Sequence, residues 1–477
     1  MRLAPAAAVL SALAVAATPA AAATHDWTRF GFDAARSNNS TAVAGVTAAN
    51  LATMKRQDVS VPGTVDSSPI YLHEVTVTGK RRDVFIATTS YGRTFALGAR
   101  TGKIVWTFSP ASVGSLEGSH QITHSSPIAD RRAGVVYSAS PDGVIHKLSL
   151  ATGHEITSGS WPVSITRNPV REKIGTALNL SGAYLIATTG GYTGDTPPYQ
   201  GHVAFIDRNT GTIANVFNSL CALRSGIIEP SSCPESGSAI WARSGAVVVP
   251  GSHNVLVATG DGKFDGKRYW GDSVLELAPD GGKLLGNWTP GNESSLDTGD
   301  VDLGSTAPAL LPSGNGFLAL QGGKDGQLRL LRVPNLSGHG KACACKGGEL
   351  ETVEAPGGTF TTPAVWRHNG ATWTFVTGLF GETRAFRLSG SPPRLHRIWS
   401  VGPGGTSPII AGGLLYVYSP GGDVHVYRPT TGQLVGTLQA DGGHWNIPLV
   451  ADGRVAIPVG DANDHRSTGT FTIYRKP

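Results

Sequence analysis

The chain has 477 residues with a formal net charge of +5, and only 15% of its residues are charged. It carries 63 glycines and 30 prolines, which favours many short elements joined by tight turns and excludes an architecture of long helices. Lys and Arg are scattered rather than clustered, which argues against a nucleic-acid-binding face.

The first residues set a charged start, Met1-Arg2, before an apolar Ala/Val/Leu stretch and the small-residue run Ala21-Ala22-Ala23. This is the pattern of a secretory signal peptide over residues 1–23, so the mature chain, 24–477, is expected to be secreted or periplasmic. The stretch is too short to span a membrane, and no transmembrane segment is expected in the mature chain. Export would permit disulfides. Cys221 and Cys233 would close a turn-rich insertion, residues 219–235, whereas Cys343 and Cys345 leave three readings open: a bridge, a free dithiol, or half a metal site with His339.

From residue 67 onward one unit recurs. Its clearest copy is Ser67-Ser68-Pro69-Ile70-Tyr71, then Asp83-Val84-Phe85-Ile86-Ala87, then Thr94-Phe95-Ala96-Leu97, then Thr101-Gly102-Lys103-Ile104-Val105-Trp106. Later copies begin near Ser126-Pro127, Ile174, Trp241, Pro308, Thr362-Pro363, Ser407-Pro408 and Ile447-Pro448, and the last ends one strand short. The strand-like stretch 51–61 can supply that strand and close a ring. Four-stranded units about 40 to 70 residues apart, closed in this way, predict an all-β, eight-bladed β-propeller of antiparallel blades forming a single domain over 24–477. The Thr-Gly pairs are expected to turn into the outer strands, with Gly at positive φ. The outer-strand Trp is expected to lie flat between blades and donate its indole N–H to a neighbouring backbone.

Three stretches carry a family resemblance: Asp26-Trp27-Thr28-Arg29-Phe30-Gly31-Phe32-Asp33, Phe95-Ala96-Leu97 with Thr101-Gly102-Lys103-Ile104-Val105-Trp106, and Gly322-Gly323-Lys324-Asp325-Gly326. Together they resemble the pyrroloquinoline quinone (PQQ) repeat proteins over essentially the whole mature chain. That family includes alcohol dehydrogenases and a non-catalytic propeller of outer-membrane assembly, so the resemblance is specific for fold and not for activity. In the dehydrogenases, PQQ stacks on a Trp, is touched by a Lys or Arg, and is joined to a calcium ion held by Glu and Asn, with an Asp as base. The resemblance implies Trp241 as the stacking residue, Lys324 as the cation, and Thr176 as a hydroxyl contact to the cofactor. It implies Asp261, in Gly260-Asp261, as an oxygen ligand for the metal.

Asp300 and Asp302, in Asp300-Val301-Asp302-Leu303-Gly304, match a family motif. Asp302 is the carboxylate offered for the catalytic role, with bracing of a loop as the structural alternative. Departures are plain: Gly190-Gly191-Tyr192 stands where the family has Gly-Gly-Glu, Ala278 aligns with the usual Asp ahead of the fourth Thr-Gly turn, and Ser125-Ser126 stands where an adjacent Cys-Cys pair is usual. Asp195 and Asp265 offer replacement oxygens. His120, His124 and the pair His444-Trp445 fall just before inner strands, near the axial face. The run 461–466 reads as an exposed, oxygen-rich hairpin loop.

Two functions are therefore carried forward. One is a quinoprotein-like oxidoreductase of alcohol dehydrogenase type with an eroded calcium site, using PQQ and a small-molecule alcohol. No Cys-x-x-Cys-His haem motif occurs, so its electrons would leave to a separate carrier. The other is a non-catalytic propeller that binds a protein or polymer on its axial face.

Overall fold

A computed structural model describes Met1 and residues 24–378, 380–460 and 469–477. The leader expected over residues 1–23 falls, apart from Met1, outside the described residues, as does the hairpin loop 461–466. Among the described residues the strands form eight sheets, one per repeat, each built on four antiparallel strands, with a fifth strand added to one of them. No helix there is long and apolar enough to cross a membrane.

The first blade shows how the repeat becomes structure. Ile70–Val77, Lys80–Thr88, Thr94–Gly98 and Ile104–Phe108 pair in chain order from the axis outward. Ring closure follows the expectation from residues 51–61: Lys55–Ser60 pairs antiparallel with Thr470–Arg475, from Lys55 opposite Arg475 to Ser60 opposite Thr470. The last blade thus takes its outer strand from the beginning of the chain, which removes an exposed edge.

The repeat residues act as expected at the blade seams. Gly102, Gly153, Gly211 and Gly432 take φ values of 71°, 74°, 80° and 71°. A Cβ on Gly153 would lie 2.5 Å from the Trp106 ring, because that indole lies flat on the next blade's turn while its Nε1 donates to the Leu150 carbonyl at 3.1 Å. Trp399 repeats this with the Pro429 carbonyl at 2.9 Å. The serine before each Pro bonds between neighbouring blades near the axis: the Ser126 hydroxyl accepts from Ser68 N at 2.8 Å, Ser68 from Ile447 N at 3.0 Å, and Ser407 from Thr362 N at 2.8 Å.

The repeat pattern did not anticipate the path of the N-terminal segment. Asn39–Ser40 adds a fifth, parallel strand to the inner edge of the seventh blade, opposite Ile410 and Ala411. Around it the segment touches the innermost strands in turn. Trp27 bridges Tyr71, the Thr28 carbonyl accepts from Ala129, that of Ala34 from Val248, and that of Ser37 from Val365. Arg36 is fully buried and donates to the carbonyls of Phe30, Ala177 and Leu178. Burial, then the charge of Arg29, lowers its pKa to about 9. The segment plugs the channel, so the opening on the other face is a blind funnel.

Both cysteine pairs lie at disulfide distance, with Cα separations of 6.2 Å for Cys221–Cys233 and 5.2 Å for Cys343–Cys345.

Candidate functional site

Antiparallel blades send two sets of loops to one face: the connections between second and third strands, and those from an outer strand to the next blade's inner strand. These loops line a funnel of about 280 Å³. Its wall combines an aromatic group, a basic side and an acidic side.

Trp241, Phe360 and Trp445 form the aromatic group. Trp241 lies 5.8 Å from Trp445 and 6.1 Å from Phe360 between ring centroids, and the Phe360 and Trp445 rings stack at 5.6 Å. His444 stacks on the Trp445 ring at 4.0 Å, and the Arg243 guanidinium lies 5.3 Å from that ring's centroid.

The basic side is built on the buried carboxylate of Asp66. Its Oδ2 meets Arg243 at 3.0 Å, His444 Nδ1 at 2.8 Å and His124 Nε2 at 3.2 Å. Burial opposes ionisation of Asp66, but the charges of Arg243, His444 and His124 outweigh it and hold the carboxyl well below the usual range. Lys173 Nζ lies 3.2 Å from His124 Nε2. Burial, then repulsion from Arg243, brings Lys173 down to about 7, and burial with the nearby cations pushes His124 well down.

On the acidic side, Lys324 Nζ sits 2.6 Å from Asp300 Oδ1, 2.5 Å from Asp302 Oδ2 and 5.8 Å from the Trp241 ring. Burial works against the Lys324 charge, but Asp302 and Asp300 outweigh it and raise its pKa. Asp302 Oδ1 accepts the Asp261 N–H at 3.0 Å. Asp261 stands one layer behind the funnel wall. Burial, followed by the charges of Asp302 and Asp272, pushes its carboxyl up, while the hydrogen bond from Lys324 holds Asp300 down. Ligand oxygens of Asp261, Asp300 and Asp302 lie within 4.8 Å of one another.

Of the residues singled out in the sequence, Trp241, Lys324 and Asp302 converge on the funnel wall, joined by His124, Trp445 and Asp195. Asp302 both lines the funnel and braces the Asp261 loop. Thr176 does not line it: its hydroxyl is buried and paired with that of Thr188 at 2.7 Å. Asp265 spends its Oδ1 on the N–H groups of Lys267, Arg268 and Tyr269 within its own loop. Ser126 is a link between blades, and neither it nor Ser125 lines the funnel.

Ala278 belongs to the turn between Val274–Leu277 and Leu284–Trp288. That turn is at the opposite end of the strands from the funnel, so an alanine there neither removes nor supplies a base. Tyr192 does line the funnel, and its hydroxyl donates to the Pro169 carbonyl at 2.9 Å.

Asp66, Lys173, Arg243 and Phe360 were not singled out in the sequence. Each lies in an irregular connection ahead of an inner strand. That shared position, the one His124 and His444 also occupy, was the available signal.

Solved structures share this architecture. A quinohemoprotein alcohol dehydrogenase from Pseudomonas putida HK5 superposes with a TM-score of 0.70 at 14% identity, covering 95% of this chain and 80% of that one. The fold is that of the quinohemoprotein alcohol dehydrogenases. A europium-containing methanol dehydrogenase gives a TM-score of 0.67 at 13% identity, covering 94% and 97% of the two chains. BamB from Moraxella catarrhalis gives 0.54 at 14% identity, covering 88% and 97%. Neither a family model nor a curated relative matches the chain by sequence. At these identities the likeness is one of fold.

Proposed function

We propose that this chain is a quinoprotein-like oxidoreductase that holds PQQ in the funnel, oxidises a small alcohol and works outside the cytoplasm. The observation that carries the reading is the convergence of Trp241, Lys324 and Asp302 on one cavity, from loops of different blades.

The residues present fit the organic cofactor better than its metal. A planar tricarboxylate suits an aromatic floor at Trp241, a second aromatic pair at Phe360 and Trp445, and cations at Lys173, Arg243 and Lys324. Calcium finds an all-oxygen set in Asp261, Asp300 and Asp302. Yet Lys324 already neutralises two of these, and Tyr192 brings no carboxylate. PQQ supplies a two-electron acceptor when bound. The chain's own residues bind and orient it. The Asp261 carboxyl, raised beside the depressed Asp300, holds a proton next to the funnel, and Asp302, fixed through both oxygens, is the carboxylate positioned to accept one from an alcohol.

The test titrates purified protein with PQQ, with and without calcium, following melting temperature, quinone absorbance and dye reduction with a series of primary alcohols. Saturable binding that is lost in Trp241→Ala is expected. The absence of both a thermal shift and dye reduction overturns the proposal.

Tyr192 favours a second reading, a non-catalytic propeller that binds a protein or polymer on its axial face. It occupies the place of the expected ligand carboxylate and spends its hydroxyl on the Pro169 backbone. The absence of a thermal shift with PQQ and of dye reduction with any alcohol favours this reading.

A further inference from the structure

On the face opposite the funnel, three segments far apart in the chain meet at the seam where the ring closes. His25 begins the N-terminal plug, His73 lies on the inner strand of the first blade, and Asp452 occupies the first turn of the last blade. His25 Nδ1 lies 2.6 Å from Asp452 Oδ1 and His73 Nδ1 lies 2.8 Å from Asp452 Oδ2. The two imidazoles stack at 4.3 Å, and the three ligand atoms lie within 4.8 Å of one another.

We propose that His25, His73 and Asp452 form a binding site for a borderline divalent cation of the zinc class, which clamps the N-terminal segment across the closing seam.

Four observations support the assignment. First, two imidazole nitrogens with one carboxylate oxygen are the donor set that zinc prefers, where calcium would require oxygens alone. Second, His73 Nδ1 is shielded from solvent and has no hydrogen-bond partner. It approaches the Asp452 carboxylate closely but outside hydrogen-bonding geometry, which leaves it available to an ion between them.

Third, the carboxylate has outer support of the kind that orients metal ligands: the Tyr71 hydroxyl donates to Asp452 Oδ2 at 2.7 Å. Nearby, Asp83 Oδ1 lies 3.3 Å from His73 Nδ1 while Arg454 binds its other oxygen at 2.9 Å. Fourth, the other two clusters of potential ligands already contain a cation. Arg243 is bonded to Asp66 in one, and Lys324 to Asp300 and Asp302 in the other. Among the described residues no Lys or Arg forms an ion pair with Asp452.

Donors each about 2 Å from a zinc ion lie no more than about 4 Å apart, so side-chain shifts of about 1 Å suffice. Binding would replace the contact between His25 and Asp452, and water would complete a tetrahedron. Because the ligands come together only in the closed ring, the ion stabilises the folded state by mass action.

The experiment uses purified, untagged protein, shown by mass spectrometry to retain His25, stripped with EDTA and titrated with zinc chloride by calorimetry and thermal melting. One equivalent is expected to bind and to raise the melting temperature, reversed by EDTA. His73→Ala and Asp452→Asn are expected to lose this equivalent, and Tyr71→Phe to weaken it about 10-fold. Asp261→Asn, behind the funnel wall on the opposite face, should retain it. His25→Ala, altered at the edge of the fold, provides the same test should the buried variants fail to fold. No stoichiometric binding by the stripped protein, undiminished binding in His25→Ala, or loss of the equivalent in Asp261→Asn overturns the proposal.

Discussion

Gly260 and Asp302 approach so closely that a Cβ on residue 260 would sit 1.9 Å from the Asp302 carboxylate Oδ1 and 3.4 Å from Trp241 Nε1. The glycine lets the fourth blade's loop pass against the aspartate, which then accepts the Asp261 N–H. Gly260→Ala is therefore expected to push Asp302 away from Lys324 and Trp241. The stability cost should be about 1–3 kcal/mol by denaturant unfolding, and any ligand affinity of the funnel should fall with it. Wild-type affinity in a folded Gly260→Ala protein would separate Asp302 from ligand binding.

The Asp66–Arg243 pair lies almost wholly inside the protein, with side-chain exposures of 0% and 5%. Asp66→Ala leaves a buried guanidinium without its carboxylate and is expected to cost about 3–5 kcal/mol. Asp66→Ala with Arg243→Leu should recover much of that loss, because the unpaired charge is what costs. A double variant no more stable than the single one would contradict this account.

Asp272 gives stability a predictable pH dependence. Burial, then repulsion from Asp302, Asp297 and Glu293, raises its carboxyl from 3.8 to about 8. The native state thus binds more protons than the unfolded chain between those values. Asp272 contributes stability that is fully present below its ordinary pKa and lost as pH rises through about 8. Asp272→Asn keeps an acceptor for the Leu303 N–H, which now bonds Oδ1 at 2.9 Å. Its unfolding free energy should decline less than that of the wild type as the pH is raised over this window. Parallel pH profiles for the two proteins would count against the assignment.

The Cys221–Cys233 bridge spans a sequence separation of 12 in the insertion leading toward Trp241. A loop of that size restricts the unfolded chain enough to contribute about 2–4 kcal/mol. The double substitution Cys221→Ser, Cys233→Ser should lower the melting temperature accordingly, and a reductant should reproduce the shift in the wild type. Equal melting temperatures in all three conditions would show the bridge to be energetically idle.

The fold was legible in the sequence because each blade repeats the same local requirements. Gly102 and Gly153 mark positive-φ turns, Trp106 and Trp399 mark the seams, and Lys55–Ser60, within the expected 51–61, supplies the closing strand, all within or just outside one repeat. Trp241, Lys324 and Asp302 were legible through resemblance of short motifs. Asp66, Lys173, Arg243 and Phe360 were not, because irregular connections carry no period and each residue alone reads as an ordinary loop or core side chain.

Local pattern thus determined the number of blades, their strand order and the closure of the ring, since turn geometry and alternate burial are decided by neighbours in the chain. The radial arrangement alone decided the site. It brought Asp66 beside His444, 378 residues away, set Ala278 on the far face, and seated the N-terminal segment in the channel. Those outcomes depend on which strand ends share a face and on how burial sets charge, and both exist only once the ring is closed.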